Sequence, residues 1–229
     1  MARAKMIISL TSISGREEAL VKTIDSLLNQ TVKLDIHLWV SYEPYLLDKG
    51  FTFEPQGVFI HYVPNDGPYR KLLPALTMFP NKIIITVDDD TEYHPQFVET
   101  IMSHYNYGVL AFRASRISET PYNTWEEVKA TTTELDLFAK GNGGVVYDAQ
   151  LFQKEDFFNP IYKSLCPTND DIWLNFWRIK QKIPLQVVPL VNYYKTNQQE
   201  SRLWFMNMND NDQMIKRTTN FFGIFLYQK

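Results

Sequence analysis

Residues 81–93 read Asn-Lys-Ile-Ile-Ile-Thr-Val-Asp-Asp-Asp-Thr-Glu-Tyr, with an apolar run that ends in three consecutive acids. The β-branched apolar run over 83–87 predicts a strand buried on both faces, as the strands of parallel α/β sheets are. Asp88, Asp89 and Asp90 follow at its carboxyl end, where open α/β sheets bind their ligands. Adjacent carboxylates repel one another and need a cation. A divalent metal with oxygen ligands, itself holding a phosphate, meets that need. The plainer alternative is a solvated acidic turn capping a helix that begins near Pro95.

Toward the amino terminus, the apolar run over 6–10, bounded by Thr11 and Ser12, predicts a first, central strand. Ser14-Gly15-Arg16-Glu17 predicts a turn and a helix start, with Ser14 and Glu17 spaced as a capping box. Leu20, Ile24, Leu27 and Leu28 then fall on one face of a helix over 17–29, and a strand over 36–41 follows. Strand, helix, strand is the opening of a parallel α/β sheet. The loop after the first strand has no Gly-x-Gly-x-x-Gly, which argues against a dinucleotide cofactor. Thr11, Ser12 and Arg16 either line a nucleotide pocket or are ordinary loop polarity. A third strand is expected over 58–63, then a turn at Asn65-Asp66-Gly67-Pro68 and a short helix over 69–76. Arg70 and Lys71 at its start oppose the helix dipole unless an anion arrives, so they are either phosphate contacts or surface charges.

Beyond the acids, a helix over 95–105, a strand over 109–113 and a polar excursion over 116–137 are expected, the last as a long loop over a cleft or a small hairpin. Gly141-Asn142-Gly143-Gly144 allows either close approach of backbone to a ligand or a tight turn into a strand. Asn169-Asp170-Asp171 opens a helix that Thr168 or Asn169 can cap. Its acids either suit the dipole or bring a carboxylate to the metal site. A last strand over 185–191 precedes an amide-rich tail containing Asn192, Lys195, Gln198, Gln199, Arg202, Trp204, Asn207, Asn211 and Asp212.

The 229 residues suffice for one α/β domain with a sizeable core, with 192–229 as an extension packing near the active site. Hydrophobic and charged fractions of 45% and 21% suit a folded chain, and a net charge of −3 gives no reason to expect nucleic acid as a partner. Cys166 stands alone, so no intrachain disulfide forms. No apolar run reaches the roughly 20 residues of a membrane span. A cytoplasmic protein is expected, with peripheral association at the inner face of a membrane left open.

Taken in order, these motifs resemble the GT-A glycosyltransferases, the nucleotide-diphospho-sugar transferase fold, over about 6–190. Arg-Lys-Leu-Leu-Pro-Ala-Leu at 70–76, the run over 83–91 and Asn-Asp-Asp-Ile-Trp-Leu-Asn-Phe at 169–176 are similar to exostosin-like transferases. Ser-Leu-Leu-Asn-Gln-Thr at 26–31 resembles bacterial family 2 enzymes. The resemblance implies a single α/β domain with a central, mostly parallel sheet flanked by helices. It also implies transfer of a sugar from a nucleotide-diphosphate donor, a UDP-sugar by preference, to a glycan or lipid-linked acceptor in surface polysaccharide synthesis, with Mn2+ or Mg2+ as cofactor. By the same resemblance Asp90 holds the metal, Asp88 the metal or the ribose, and Asp89, on the donor side, matters least. Thr11, Ser12, Arg16, Arg70 and Lys71 meet the nucleotide and its phosphates, and Gly143 and Gly144 the donor sugar and acceptor. Asp171 is the base in an inverting reaction, with Asp170 as its alternate; exostosin-like enzymes carry the same acidic pair yet retain configuration, so inversion is preferred and retention stays open.

The chain departs from family 2 in lacking a late histidine ligand, since His37, His61, His94 and His104 all precede the glycines. Either the metal keeps extra waters, or an Asn or Gln of the tail closes the site. Two other readings compete. A haloacid-dehalogenase-type phosphatase also carries Asp-x-Asp, but on its first strand, and Glu92 stands where that family has Thr or Val. A non-catalytic sugar-nucleotide binding module is the other.

Overall fold

The computed structural model describes residues 6–189, 194–196 and 202–224. In chain order the first half comprises β1 (Met6–Thr11), α1 (Glu17–Leu28), β2 (Ile36–Val40), β3 (Phe59–Tyr62), α2 (Leu73–Met78), β4 (Ile83–Thr86), β5 (Thr91–Tyr93) and α3 (Phe97–His104). The second half comprises β6 (Val109–Ala111), β7 (Ala114–Arg116), β8 (Thr132–Glu134), β9 (Leu137–Ala139), β10 (Val145–Asp148), α4 (Tyr162–Leu165), α5 (Asp170–Lys180), β11 (Leu185–Val187), β12 (Tyr194–Thr196) and α6 (Arg202–Phe222).

Eight strands form one sheet in the order β3-β2-β1-β4-β10-β6-β11-β8. All run the same way except β10 and β8, each antiparallel to its neighbours. The sheet is thus mostly parallel, as the uninterrupted apolar runs at 6–10 and 83–87 predict. Alternate side chains of each strand go to opposite faces. Ile7, Trp39, Ile84 and Val145 pack with α2, α5 and α6, where Leu76, Trp173, Phe176 and Met214 meet them. Ile8, Leu10, Leu38, Ile85 and Val146 face α1 and α3 through Leu20, Ile24, Leu27, Phe97 and Ile101. Each such aliphatic or aromatic side chain contributes about 1.5–3 kcal/mol on burial. The fold is one α/β domain with helices on both faces of the sheet. Among the described residues no helix is long and apolar enough to cross a membrane.

Direction matters for the site. Because β10 opposes β4, with Val145 paired to Thr86, its amino end lies beside the carboxyl end of β4. The glycine turn at 141–143 is thereby placed against the aspartate loop. Gly144, at φ +90°, completes that turn, and a Cβ there would stand 2.7 Å from the Phe97 ring. Gly144→Ala is expected to cost roughly 2–4 kcal/mol from left-handed strain and overpacking, seen as a lower thermal midpoint. A midpoint unchanged within a degree would mean the turn is not held by the Phe97 contact.

Several local expectations are corrected. No capping box forms at α1: the helix starts at Glu17 behind Arg16, with no side-chain cap. Ser14 Oγ instead accepts the Lys49 N–H at 2.7 Å, and Glu17 accepts the Gly15 N–H at 2.9 Å. The helix expected over 69–76 is divided into a 3-10 turn, Gly67–Lys71, and α2, because Pro74 has no N–H and suits only a first turn. Asn169 precedes α5 without capping it; its amide bonds to Asn211 at 2.8 Å. The aspartates do not cap a helix either, since β5 follows them and pairs with β12. The excursion over 116–137 takes the hairpin form, with β7 antiparallel to β9 and β8 on the sheet edge. The last parallel strand ends at Val187, with residues 188–189 described outside it, and residues 190–191 of the expected strand lie outside the described residues.

Candidate active site

A cleft of about 490 Å³ opens over the carboxyl ends of β1 and β4. Thr11, Ser12, Arg16, Arg70, Lys71, Asp88, Asp89, Asp90, Asp170 and Asp171 all line it. Gly143 and Gly144 are not among its lining residues and pack instead against Arg113 and Phe97, while Gly141 and Asn142 of the same turn line it.

The carboxylates divide between two cations. Arg16 reaches back from the start of α1 to Asp89 at 2.9 Å and, more closely, to Asp90. Lys71 lies 3.1 Å from Asp88 Oδ1 and 3.3 Å from Asp170 Oδ2. The expectation that Asp89 matters least sits beside a different geometry: Asp89 is the most buried of the three and also accepts from the Ser12 hydroxyl at 2.5 Å. Burial raises its carboxyl to about 6 against the pull of Arg16. Asp90 is raised by burial and then by Asp88. Arg16, which burial would lower, is raised instead by Asp89 and Asp90.

Lys71 is held by its backbone as well, since Ser9 Oγ donates to the Lys71 carbonyl at 2.6 Å and Trp39 Nε1 donates to Ser9 at 2.8 Å. Its ammonium is stabilised well above the ordinary lysine range: Asp170 and Asp88 outweigh the burial that opposes them. Burial raises Asp170 too. Asp171 is raised to about 7, first by burial and then by Asp170, while the Gly141 N–H donates to its Oδ2 at 2.9 Å. A Cβ on Gly141 would come within 2.9 Å of Asp171 Oδ1, so glycine is needed where this carboxylate docks.

Arg70 is organised differently. Its guanidinium, 1% exposed, is turned to Asp48 at 3.0 Å and to the carbonyls of Ser12 and Gly67. Asp48 also accepts from Ser14, Gly50 and Asn65, which ties the loops after β1, β2 and β3 together. Asp48 was not legible as a site residue. Only a lone acid between Leu47 and Lys49 marks it in sequence. The Thr11 hydroxyl donates to the Trp39 carbonyl at 2.7 Å.

The tail supplies one wall. Asn207, Asn211 and Asp212 of α6 line the cleft, and Asp212 accepts the Tyr122 N–H at 2.8 Å. Asn192, Gln198 and Gln199 lie outside the described residues, as do the side chains of Lys195, Arg202 and Trp204. His94 is exposed and not part of the cleft, and His37 and His61 stack on each other at 5.1 Å on the β2–β3 edge. Arg113, Tyr122 and Lys140 also line the cleft and were not singled out by sequence.

No family model and no curated protein matches the chain. Solved structures do. The crystal structure of S. aureus TarS 1-349 aligns with TM-score 0.55 at 14% identity, over 94% of this chain and 71% of that one. The same protein in complex with UDP-GlcNAc aligns with TM-score 0.56 at 13% identity, over 87% of this chain and 60% of that one. A 4-diphosphocytidyl-2C-methyl-D-erythritol synthase aligns with TM-score 0.53 at 11% identity, over 89% and 97%. At these identities the likeness is one of fold: the chain has the GT-A-like, nucleotidyltransferase-like α/β architecture that its motifs resemble.

Proposed function

We propose that the chain is a glycosyltransferase that takes a nucleotide-diphosphate sugar, a UDP-sugar by preference, and moves the sugar to a hydroxyl of a glycan or lipid-linked acceptor. The observation that carries this reading is the facing of two acid groups across one cleft, Asp88-Asp89-Asp90 at the end of β4 and Asp170-Asp171 at the start of α5, with Lys71 between them. The UDP-GlcNAc bound by TarS, a protein of like fold, supports the donor class.

The residues fit a dication. Seven aspartates line the cleft (Asp48, Asp88, Asp89, Asp90, Asp170, Asp171, Asp212) against five cations (Arg16, Arg70, Lys71, Arg113, Lys140). A diphosphate entering that excess of negative charge needs a metal with it. Among the described residues no three His, Cys, Asp or Glu side chains form a metal-holding group. Mg2+ and Mn2+ bound with nucleotides need only one or two carboxylates, the rest being phosphate oxygens and water. Asp88 and Asp90 would supply those carboxylates, and the bound ion would neutralise charge developing on the departing diphosphate. Arg16 orients Asp90, and Asp171 accepts the proton of the acceptor hydroxyl.

Thermal denaturation with UDP-sugars, with and without Mn2+, tests this. At a ligand concentration 100-fold above Kd the native state gains about 2.7 kcal/mol, a rise of roughly 5–10 °C. Asp90→Ala is expected to remove the Mn2+-dependent rise. A rise that survives that substitution would sink the metal assignment. Stabilisation only by a nucleoside triphosphate with a sugar 1-phosphate would point to a nucleotidyltransferase instead.

A further inference from the structure

Two cations on the cleft wall have no part in the donor site described above. Lys140 directly precedes the glycine turn and lines the cleft, and its backbone N–H donates to the Arg113 carbonyl at 2.9 Å. Arg113 extends alongside, its stem lying where a Cβ on Gly143 would meet it at 3.1 Å. Gly143, which the family resemblance assigns to the donor sugar and acceptor, is in this structure what makes room for Arg113. The Arg113 guanidinium pairs with Glu127 at 2.9 Å, and that carboxylate is 44% exposed. The Lys140 ammonium has no carboxylate within ion-pair distance among the described residues; Glu127 and Asp171 attract it only from further away. Burial and the neighbouring Arg113 both act against its charge. The Lys140 ammonium, set beside a like charge in a partly dry cleft and without an ion pair among the described residues, costs free energy that a bound anion returns.

Position gives that anion its identity. Lys140 adjoins Gly141, whose N–H is held by Asp171, so it stands at the proton-accepting end of the cleft rather than at the Arg16 end. We propose that Lys140, with Arg113, forms a subsite for an anionic substituent, a carboxylate or a phosphate ester, on the sugar being transferred or on the acceptor that receives it. The inference rests on the glycosyltransferase reading and narrows its substrates to acidic or phosphorylated carbohydrates.

Calorimetry on the full chain separates the two sources. In the donor arm UDP-glucuronate is compared with UDP-glucose in Mn2+; in the acceptor arm glucose 6-phosphate is compared with glucose, both with UDP and Mn2+ and without nucleotide. The wild-type protein is expected to prefer the anionic probe about tenfold in one arm, and roughly tenfold more salt is expected to erode that preference. Lys140→Met should reduce the ratio to near one, and Lys140→Arg should keep it. Equal binding of anionic and neutral probes in both arms overturns the proposal, as does a preference that survives Lys140→Met. Equal weakening of UDP itself and the anionic probe by Lys140→Met overturns it too, because Lys140 would then be a diphosphate contact. If UDP fails to bind at all, the glycosyltransferase reading falls, while the nucleotide-free glucose 6-phosphate arm still reports on Lys140.

Discussion

Asp171→Asn is expected to bind a UDP-sugar with Mn2+ as the unaltered protein does and to transfer the sugar a hundredfold to ten-thousandfold more slowly, the usual worth of a general base. The geometry allows so clean a separation because the amide can still accept the Gly141 N–H through its own oxygen, which keeps the turn and Asp170 in place. Only proton uptake is lost. Single-turnover rates measured at saturating donor check this, and full transfer by the variant would remove Asp171 from the base role. Acidity gives a second readout. The Asp171 carboxyl sits at about 7, so the fraction able to accept a proton falls tenfold for each pH unit below that value. The kcat/KM profile should therefore rise toward pH 7 and level off above it. A dication bound nearby stabilises the ionised form, so the corresponding limb of kcat should lie at lower pH. The stability sign is opposite to that of a salt-bridged acid. A carboxyl raised on folding binds its proton more tightly in the native state, so its contribution falls as pH rises from its unfolded value near 4 to 7. Asp171→Asn should accordingly denature at a higher temperature than the unaltered protein at pH 8, and at nearly the same temperature at pH 4. Activity and stability would move in opposite directions, as expected where a site keeps an unfavourable charge for its chemistry.

Much of this site is readable from sequence for a physical reason. The strand that ends in Asp88-Asp89-Asp90 carries its own signal, since a buried parallel strand needs an unbroken apolar run and its carboxyl end is where ligands go. Thr11, Ser12 and Arg16 follow the first strand in the same way, and the structure brings both loops to one cleft. The illegible part depends on direction and distance. Nothing in Val145-Val146-Tyr147 says that β10 runs against its neighbours, yet that reversal places Gly141 beside Asp171. Asp48, Arg113, Tyr122 and Lys140 come from loops joined only by tertiary packing, so no spacing reports them. Arg70 and Lys71 look alike as neighbours in sequence. In the structure one is locked to Asp48 outside the acid cluster and the other lies inside it, because a 3-10 turn points successive side chains in different directions.

That distinction makes Lys71 the position with the largest expected effect on stability. Its side chain is 9% exposed and is the shared counter-ion of Asp88 and Asp170, with Asp171 also within its field. Lys71→Met keeps most of the packing and removes the charge. Removing one member of a buried ion pair typically costs about 3–5 kcal/mol, because the other is left without compensation. For a chain of this size that corresponds to a fall of roughly 6–20 °C in thermal midpoint. The loss should grow with pH. Without the ammonium, Asp170 and Asp171 escape much of the cost by staying protonated, and that route closes as the solution becomes more alkaline. Protein at pH 8 should therefore lose more than protein at pH 5.5. Asp170→Asn in the Lys71→Met background should recover part of the loss, and the coupling energy from the four proteins measures the pair itself. A Lys71→Met midpoint within about 2 °C of the unaltered protein at both pH values, set against the 2–4 °C that each kcal/mol is worth here, would show that the ammonium is not what holds the acids together. Survival of the fold with loss of Mn2+-dependent donor binding would instead place its main effect on Asp88, by leaving that carboxylate free to turn away from the cleft.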